Sequence, residues 1–230
     1  MKVREILVGV ALLSATLSTI TANPLPRLTD IEIFPGETNR TVEPSALPLV
    51  REDDVFSSAY YDALAILRAG NRCSEFFGGV STVDILDRLI AKMHKNYFKA
   101  DIGIRMTGET ENILNTQTNR RFRMFEKVEL NGNGPFYRNT YSDSAEPLPG
   151  IGTYAPGTRE ARVLMLLHEL GHTIKTDEGK WLLPNDGDDE SLSLRNSMKI
   201  EKICGDEISN LGRVEGKAEE TARAAEVSRH

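Results

Sequence analysis

Two histidines four residues apart, His168 and His172, with Glu169 beside the first, are the strongest chemical signal in the chain. On a helix, residues i and i+4 lie one turn apart on the same face. Their imidazoles can therefore approach one ion, and zinc accepts imidazole nitrogens in a tetrahedral set. Glu169 points from the neighbouring edge. It can serve as general base, taking a proton from water that the metal has acidified, without being a ligand. The same ion polarises a carbonyl, so the chemistry implied is hydrolysis of an amide bond. Half of the chain's four His residues lie in this motif.

Two His ligands leave zinc under-coordinated, because a catalytic site takes three protein groups plus water. The third must come from chain that returns after the helix. Glu178 is near in sequence, the run Asn185-Asp186-Gly187-Asp188-Asp189-Glu190 offers Asp186 and Asp188, and Glu201 stands deeper in the following helix. Ser193 and Asn196 can orient ligands from behind or cap that helix. Tyr137, Tyr141 and Tyr154 precede the motif and are the aromatic hydroxyls within reach of a transition-state role; a surface or core place is the commoner one for each.

The elements that must position these groups follow from periodicity. Thr158 caps a helix through Ala161, Val163, Leu164, Leu166 and Leu167 to about Ile174, apolar on most sides and therefore central. A late helix runs from about Ser191 to Ile208, with Leu194, Met198, Ile203, Cys204 and Ile208 facing the core. Ser57–Arg68 reads as helix. Ser81-Thr82-Val83-Asp84 reads as a capping box opening a second helix, whose stripe is Val83, Leu86, Leu89, Ile90, Met93 and Tyr97. His94 beside that stripe reads as a polar helix-face residue. The middle is β-like: Ile102, Ile104 and Met106 alternate, and so do Phe122, Met124, Val128 and Leu130. Asn131-Gly132-Asn133-Gly134 is a turn signal, after which Phe136–Tyr141 is expected to pair back as a hairpin.

The 230 residues suit one domain with tails. A 40% hydrophobic and 27% charged composition permits a core, and a net charge of −6 argues against nucleic acid as partner. Lys2 and Arg4, the apolar run Ile6–Ile20 and Ala22 have the three parts of a signal peptide over residues 1–22. The run is short for a membrane span, so no stable insertion is expected after cleavage. The chain is expected to be exported, secreted or periplasmic. In that oxidising setting Cys73 and Cys204, the only cysteines, read as one disulfide. Residues 23–55 read as an extended lead-in with a short strand at Ile31–Phe34, and residues 213–230 as a frayed or disordered polar tail.

His168, Glu169 and His172, with a strand before the helix, resemble the zincin metallopeptidases. A wider pattern is similar to uncharacterised exported bacterial proteins of zincin type. It comprises Cys73-Ser74-Glu75-Phe76-Phe77, Asn131 with Gly134-Pro135-Phe136, the His helix, Asp186-Gly187, Ser193, Asn196 and Cys204. The resemblance implies an α+β, zincin-like domain over 56–212, in which a small twisted sheet packs on a central active-site helix with additional helices. It implies that an edge strand runs beside a bound peptide, here the 121–130 strand. Lys175 stands where the metzincin branch has Gly, which breaks that branch's tight turn before Glu178. The resemblance places an Asp-Gly at 186–187, so the order of preference for the third ligand is Asp186, then Asp188, then Glu178. The expected function is a zinc metallopeptidase acting on a peptide or protein substrate. The alternative is a non-catalytic exported binding protein that keeps the scaffold.

Overall fold

The structure, a computed structural model, describes residues 47–115 and 120–227. The signal peptide at 1–22 and the lead-in as far as residue 46 lie outside the described residues, as do 228–230. Among the described residues no helix is long and apolar enough to cross a membrane. The described residues form an α+β architecture, with six α-helices and one three-stranded sheet.

The chain enters through α1 (Pro48–Glu52) and α2 (Asp54–Arg68). Residues 48–52 and 54–55 are thus helical where the prolines suggest an extended lead-in. Pro48 sits in the first turn, where its missing N–H costs nothing. Asp53 then caps α2 by accepting the Phe56 N–H at 3.0 Å. Helix α3 (Arg72–Phe77) is capped in the same way by Asn71, which accepts the Ser74 N–H at 2.8 Å.

The expected capping box at 81–84 does not form. Ser81 and Thr82 turn their hydroxyls back to the carbonyls of Gly78 and Phe77, closing a 3-10 turn over Gly79–Thr82. Helix α4 (Val83–Ala91) is also shorter than its apolar stripe suggests. From Met93 the chain is strand β1 (Met93–Asn96), so His94 lies on a strand. The pairing that draws it there is distant in sequence: Met93 lies opposite Val128 and Asn96 opposite Asn131.

Strands β2 (Ile104–Asn115) and β3 (Arg120–Asn131) are antiparallel, and the sheet order is β1-β3-β2. Strand β3 is therefore the middle strand and not the edge expected for 121–130. Nor does Phe136–Tyr141 form a hairpin with it. Instead Asn131, fully buried, ties down the irregular segments around it. Its amide donates to the carbonyls of Lys99 and Ile102 and its oxygen accepts from Phe98 and Asn133.

Helix α5 (Arg159–Thr173) fits its sequence signal closely. Thr158 accepts the Ala161 N–H, and Ile174 is the C-cap. Val163, Leu164, Leu166, Leu167 and Leu170 are buried in one core with Phe56, Tyr60 and Leu64 of α2 and Met124 and Val128 of β3. Each such side chain stabilises the fold by about 1.5–3 kcal/mol over its exposed state. At the first turn of α5, Arg159 grips Asp62 of α2 through Nε and Nη2, both at 2.6 Å.

Helix α6 (Glu190–Val227) lies against α5 and is joined to α3 by the Cys73–Cys204 disulfide. Its inward face is Asn196, Ser197, Ile200, Cys204 and Ile208, whereas Leu194 and Met198, expected inside, are exposed. The α6 backbone continues through 213–227, the stretch read from its polarity as a disordered tail. Ala, Glu, Arg and Lys there have high helix propensity, which supports helical backbone.

Candidate metal centre

His168 and His172 lie on one face of the last turns of α5, both buried, with their Nε2 atoms 2.9 Å apart. Two imidazole nitrogens this close cannot both present lone pairs to one another without a proton or a cation between them. Asp186 completes the group. Its Oδ2 is 3.0 Å from His168 Nε2 and its Oδ1 is 3.3 Å from His172 Nε2. His168, His172 and Asp186 are thus a set that could hold a metal ion. A tetrahedral ion with nitrogen and oxygen ligands at about 2.0–2.1 Å has ligands roughly 3.3 Å apart, so the three side chains fit.

The chain after α5 delivers Asp186 by a fixed route. Lys175 forms an antiparallel bridge with Trp181, and the N–H groups of Leu182 and Leu183 donate to Ile174 O and Gly171 O at 2.8 and 3.2 Å. The carbonyls at the C-terminus of α5, which have no intrahelical partners, are satisfied by this return arm and its neighbours. Thr173 Oγ1 donates to Leu170 O, and Arg123 Nε donates to His172 O at 2.7 Å. Gly171 makes the approach possible. A Cβ there would meet Leu183 Cδ1 at 2.6 Å. Gly187, at φ +47, supplies the left-handed turn just after Asp186.

Helix α6 holds the group from behind. Ser197 Oγ is 2.9 Å from His168 Nδ1; with Ser197 as acceptor, the ring proton sits on Nδ1 and the Nε2 lone pair faces the cluster. Asn196 Nδ2 donates to Asp186 Oδ2 and to Pro184 O, both at 3.1 Å. Nδ1 of His172 is buried with no partner among the described residues.

The electrostatics are those of a desolvated acidic site. Burial pushes His168 down, overriding the opposite pull of Asp186. Burial alone would raise Asp186, but hydrogen bonds from His168 and His172 outweigh it and hold the carboxyl well below the usual range. Glu169 is partly buried, and desolvation followed by the charge of Asp186 raises its carboxyl well above the ordinary value.

Of the sequence candidates, Asp186 joins the two histidines. Asp188 and Glu178 are exposed and outside the group. Glu201 is engaged elsewhere, accepting from the backbone and hydroxyl of Thr153. Asn196 has its orienting role, while the cap of α6 falls to Asp189, which accepts the Leu192 N–H. Sequence reasoning missed Ser197 and Arg123. The available signal for Ser197 was a polar pair, Asn196-Ser197, on the face of α6 that also carries Ile200 and Cys204. Tyr137 and Tyr154 direct their hydroxyls elsewhere: Tyr137 donates to Asp53, and Tyr154 bonds Gly205 O and Ser209. No family model, curated protein or solved structure matches the chain.

Proposed function

We propose that this protein is an exported zinc-dependent metallopeptidase of zincin type. The observation that carries the reading is the convergence of His168 Nε2, His172 Nε2 and the Asp186 carboxylate within 2.9 to 3.3 Å, with Glu169 next in sequence to a ligand. His168, His172 and Asp186 would hold the ion. When bound, zinc supplies Lewis-acid polarisation of a carbonyl and lowers the pKa of water. Glu169 accepts the proton of the attacking water and returns it to the leaving amine. Asn196 and Ser197 keep the acceptor atoms aimed at the centre.

One observation favours a second reading, a non-catalytic binding protein on the same scaffold. The Tyr137 and Tyr154 hydroxyls, two candidates for stabilising an oxyanion, are committed elsewhere. Zinc content of the purified exported protein, with cleavage of a mixed peptide library before and after chelation, separates the two. Bound zinc with chelator-sensitive cleavage supports the peptidase. Bound zinc with no cleavage of any peptide supports the binding protein.

A further inference from the structure

We infer that Arg123 is a positioning residue of the metal centre, locking the His172 end of α5 to the return arm that carries Asp186. The inference rests on the metal-binding reading above and deepens it. Arg123 lies on the middle strand β3, with its side chain only 3% exposed. Besides lying 5.3 Å from the Phe125 ring centroid, it makes three closer contacts. Nε donates to the His172 carbonyl at 2.7 Å, Nη1 meets Glu109 Oε2 at 3.0 Å, and the guanidinium plane lies 4.3 Å from the centroid of Trp181. His172 supplies one ligand. Trp181 belongs to the bridge with Lys175 that turns the chain back toward Asp186.

Stability alone gives poor reason for this arrangement. A buried cation is costly to desolvate unless it is fully paired. Here the acidic partner Glu109 is 44% exposed and Nη2 is buried without a partner among the described residues. What the guanidinium does provide is geometry. It places a positive charge at the C-terminus of α5, where the helix dipole favours one. Its rigid plane also stacks on an aromatic face, which an ammonium group cannot reproduce. One side chain thereby braces the two limbs that carry the ligands, beside the backbone hydrogen bonds that tie the return arm to Ile174 and Gly171.

The test is zinc affinity, by competition with a chelating dye, together with the visible absorption of the Co²⁺-loaded protein, which reports ligand geometry. Arg123→Met is expected to weaken zinc about 10–100-fold, the range for losing a group that orients a ligand, and to shift the Co²⁺ bands. Arg123→Lys should recover part of the affinity by restoring a donor to His172 O. Trp181→Leu, which removes the stack from the other side, should move affinity in the same direction. Glu109→Gln should leave affinity and spectrum at the parent's values. Asp53→Asn, whose partners lie away from the ligands, should lower the melting temperature of the metal-free protein without changing either. If Arg123→Met lowers melting temperature but binds zinc and absorbs as the parent does, the residue is merely structural and the inference falls. If Arg123→Met does not fold, Trp181→Leu and Arg123→Lys decide: parent-like affinity and spectrum in both overturn it. A parent protein that binds no zinc refutes the metallopeptidase reading itself, whereas a zinc-binding parent with an indifferent Arg123 refutes only this inference.

Discussion

His168 Nε2 and Asp186 Oδ2 meet at 3.0 Å although eighteen residues separate them in the chain. The intervening segment is not a free loop. It is stitched to α5 at Gly171 and Ile174 and to β3 through Lys175 N and Arg121 O. The carboxylate reaches the histidines already oriented, with Asn196 holding one of its oxygens. Little ordering is left for a metal to impose.

Asp186→Ala should therefore weaken zinc binding by at least about tenfold, the scale for losing even an outer partner of a ligand. Asp188→Ala and Glu178→Ala should bind as the parent does, since both side chains are exposed and outside the group. Dye competition measures all three. A parent-like Asp186→Ala would show that the third ligand is another residue.

Glu169→Gln should retain zinc and lose hydrolysis. The amide keeps the shape of the side chain but cannot take a proton from water, and Glu169 is not one of the converging ligands. Metal content and peptide cleavage are read on the same sample. Loss of zinc from this variant would mean that Glu169 is a ligand.

The Cys73–Cys204 disulfide closes a separation of 131 residues and joins α3 to the helix that carries Asn196 and Ser197. Replacing both cysteines by Ser should destabilise the fold by about 2–5 kcal/mol, chiefly by freeing the unfolded chain. Urea denaturation of the protein with its disulfide formed, and of the replacement, gives the difference. Equal midpoints would show that the bridge contributes no net stability.

Asp53 predicts a pH dependence. Burial works against its ionisation, but Lys95, the Phe56 N–H and the Tyr137 hydroxyl together hold its carboxyl below the ordinary value. A depressed folded pKa contributes stability that is fully present above the unfolded pKa, about 4, and is lost as pH falls through the folded one. The parent should therefore lose stability below about pH 4 more steeply than Asp53→Asn does. At pH 7 the substitution should cost about 1 kcal/mol, the scale of a hydrogen bond that loses its ionised acceptor toward Lys95 and Tyr137, since Asn caps a helix as well as Asp does. Melting curves at pH 3 to 7 check both; parallel profiles would remove Asp53 from the acid response.

The parts of the molecule that sequence made legible are those set by local chemistry. Helix α5 announces itself by its cap at Thr158 and its dense apolar content, and the two cysteines can pair only with each other inside one chain. What stayed hidden depends on distant pairing. Met93 and His94 continue a helical stripe, yet strand β3, more than thirty residues on, draws them into a sheet. Arg123 sits in an alternating strand at a position that reads as solvent-facing, and only the fold brings it beneath the His172 carbonyl. Helix α6 inverts the usual rule near the site: Leu194 and Met198 are outside while Asn196 and Ser197 are inside. Sequences that specify one fold tend to break the polar–apolar pattern where function requires it.

Trp181 is the chain's single tryptophan, and two cations lie over its ring, the Arg123 guanidinium at 4.3 Å and the Lys175 ammonium at 5.2 Å from the centroid. Indole emission from this protein therefore originates at one place, on the arm that brings Asp186 to the histidines. Charges held over an indole face alter the energy of its excited state, so any loosening or tightening of that arm changes colour and intensity together. The molecule carries its own optical gauge of whether that arm is seated against the histidines, with no dye or label to be introduced.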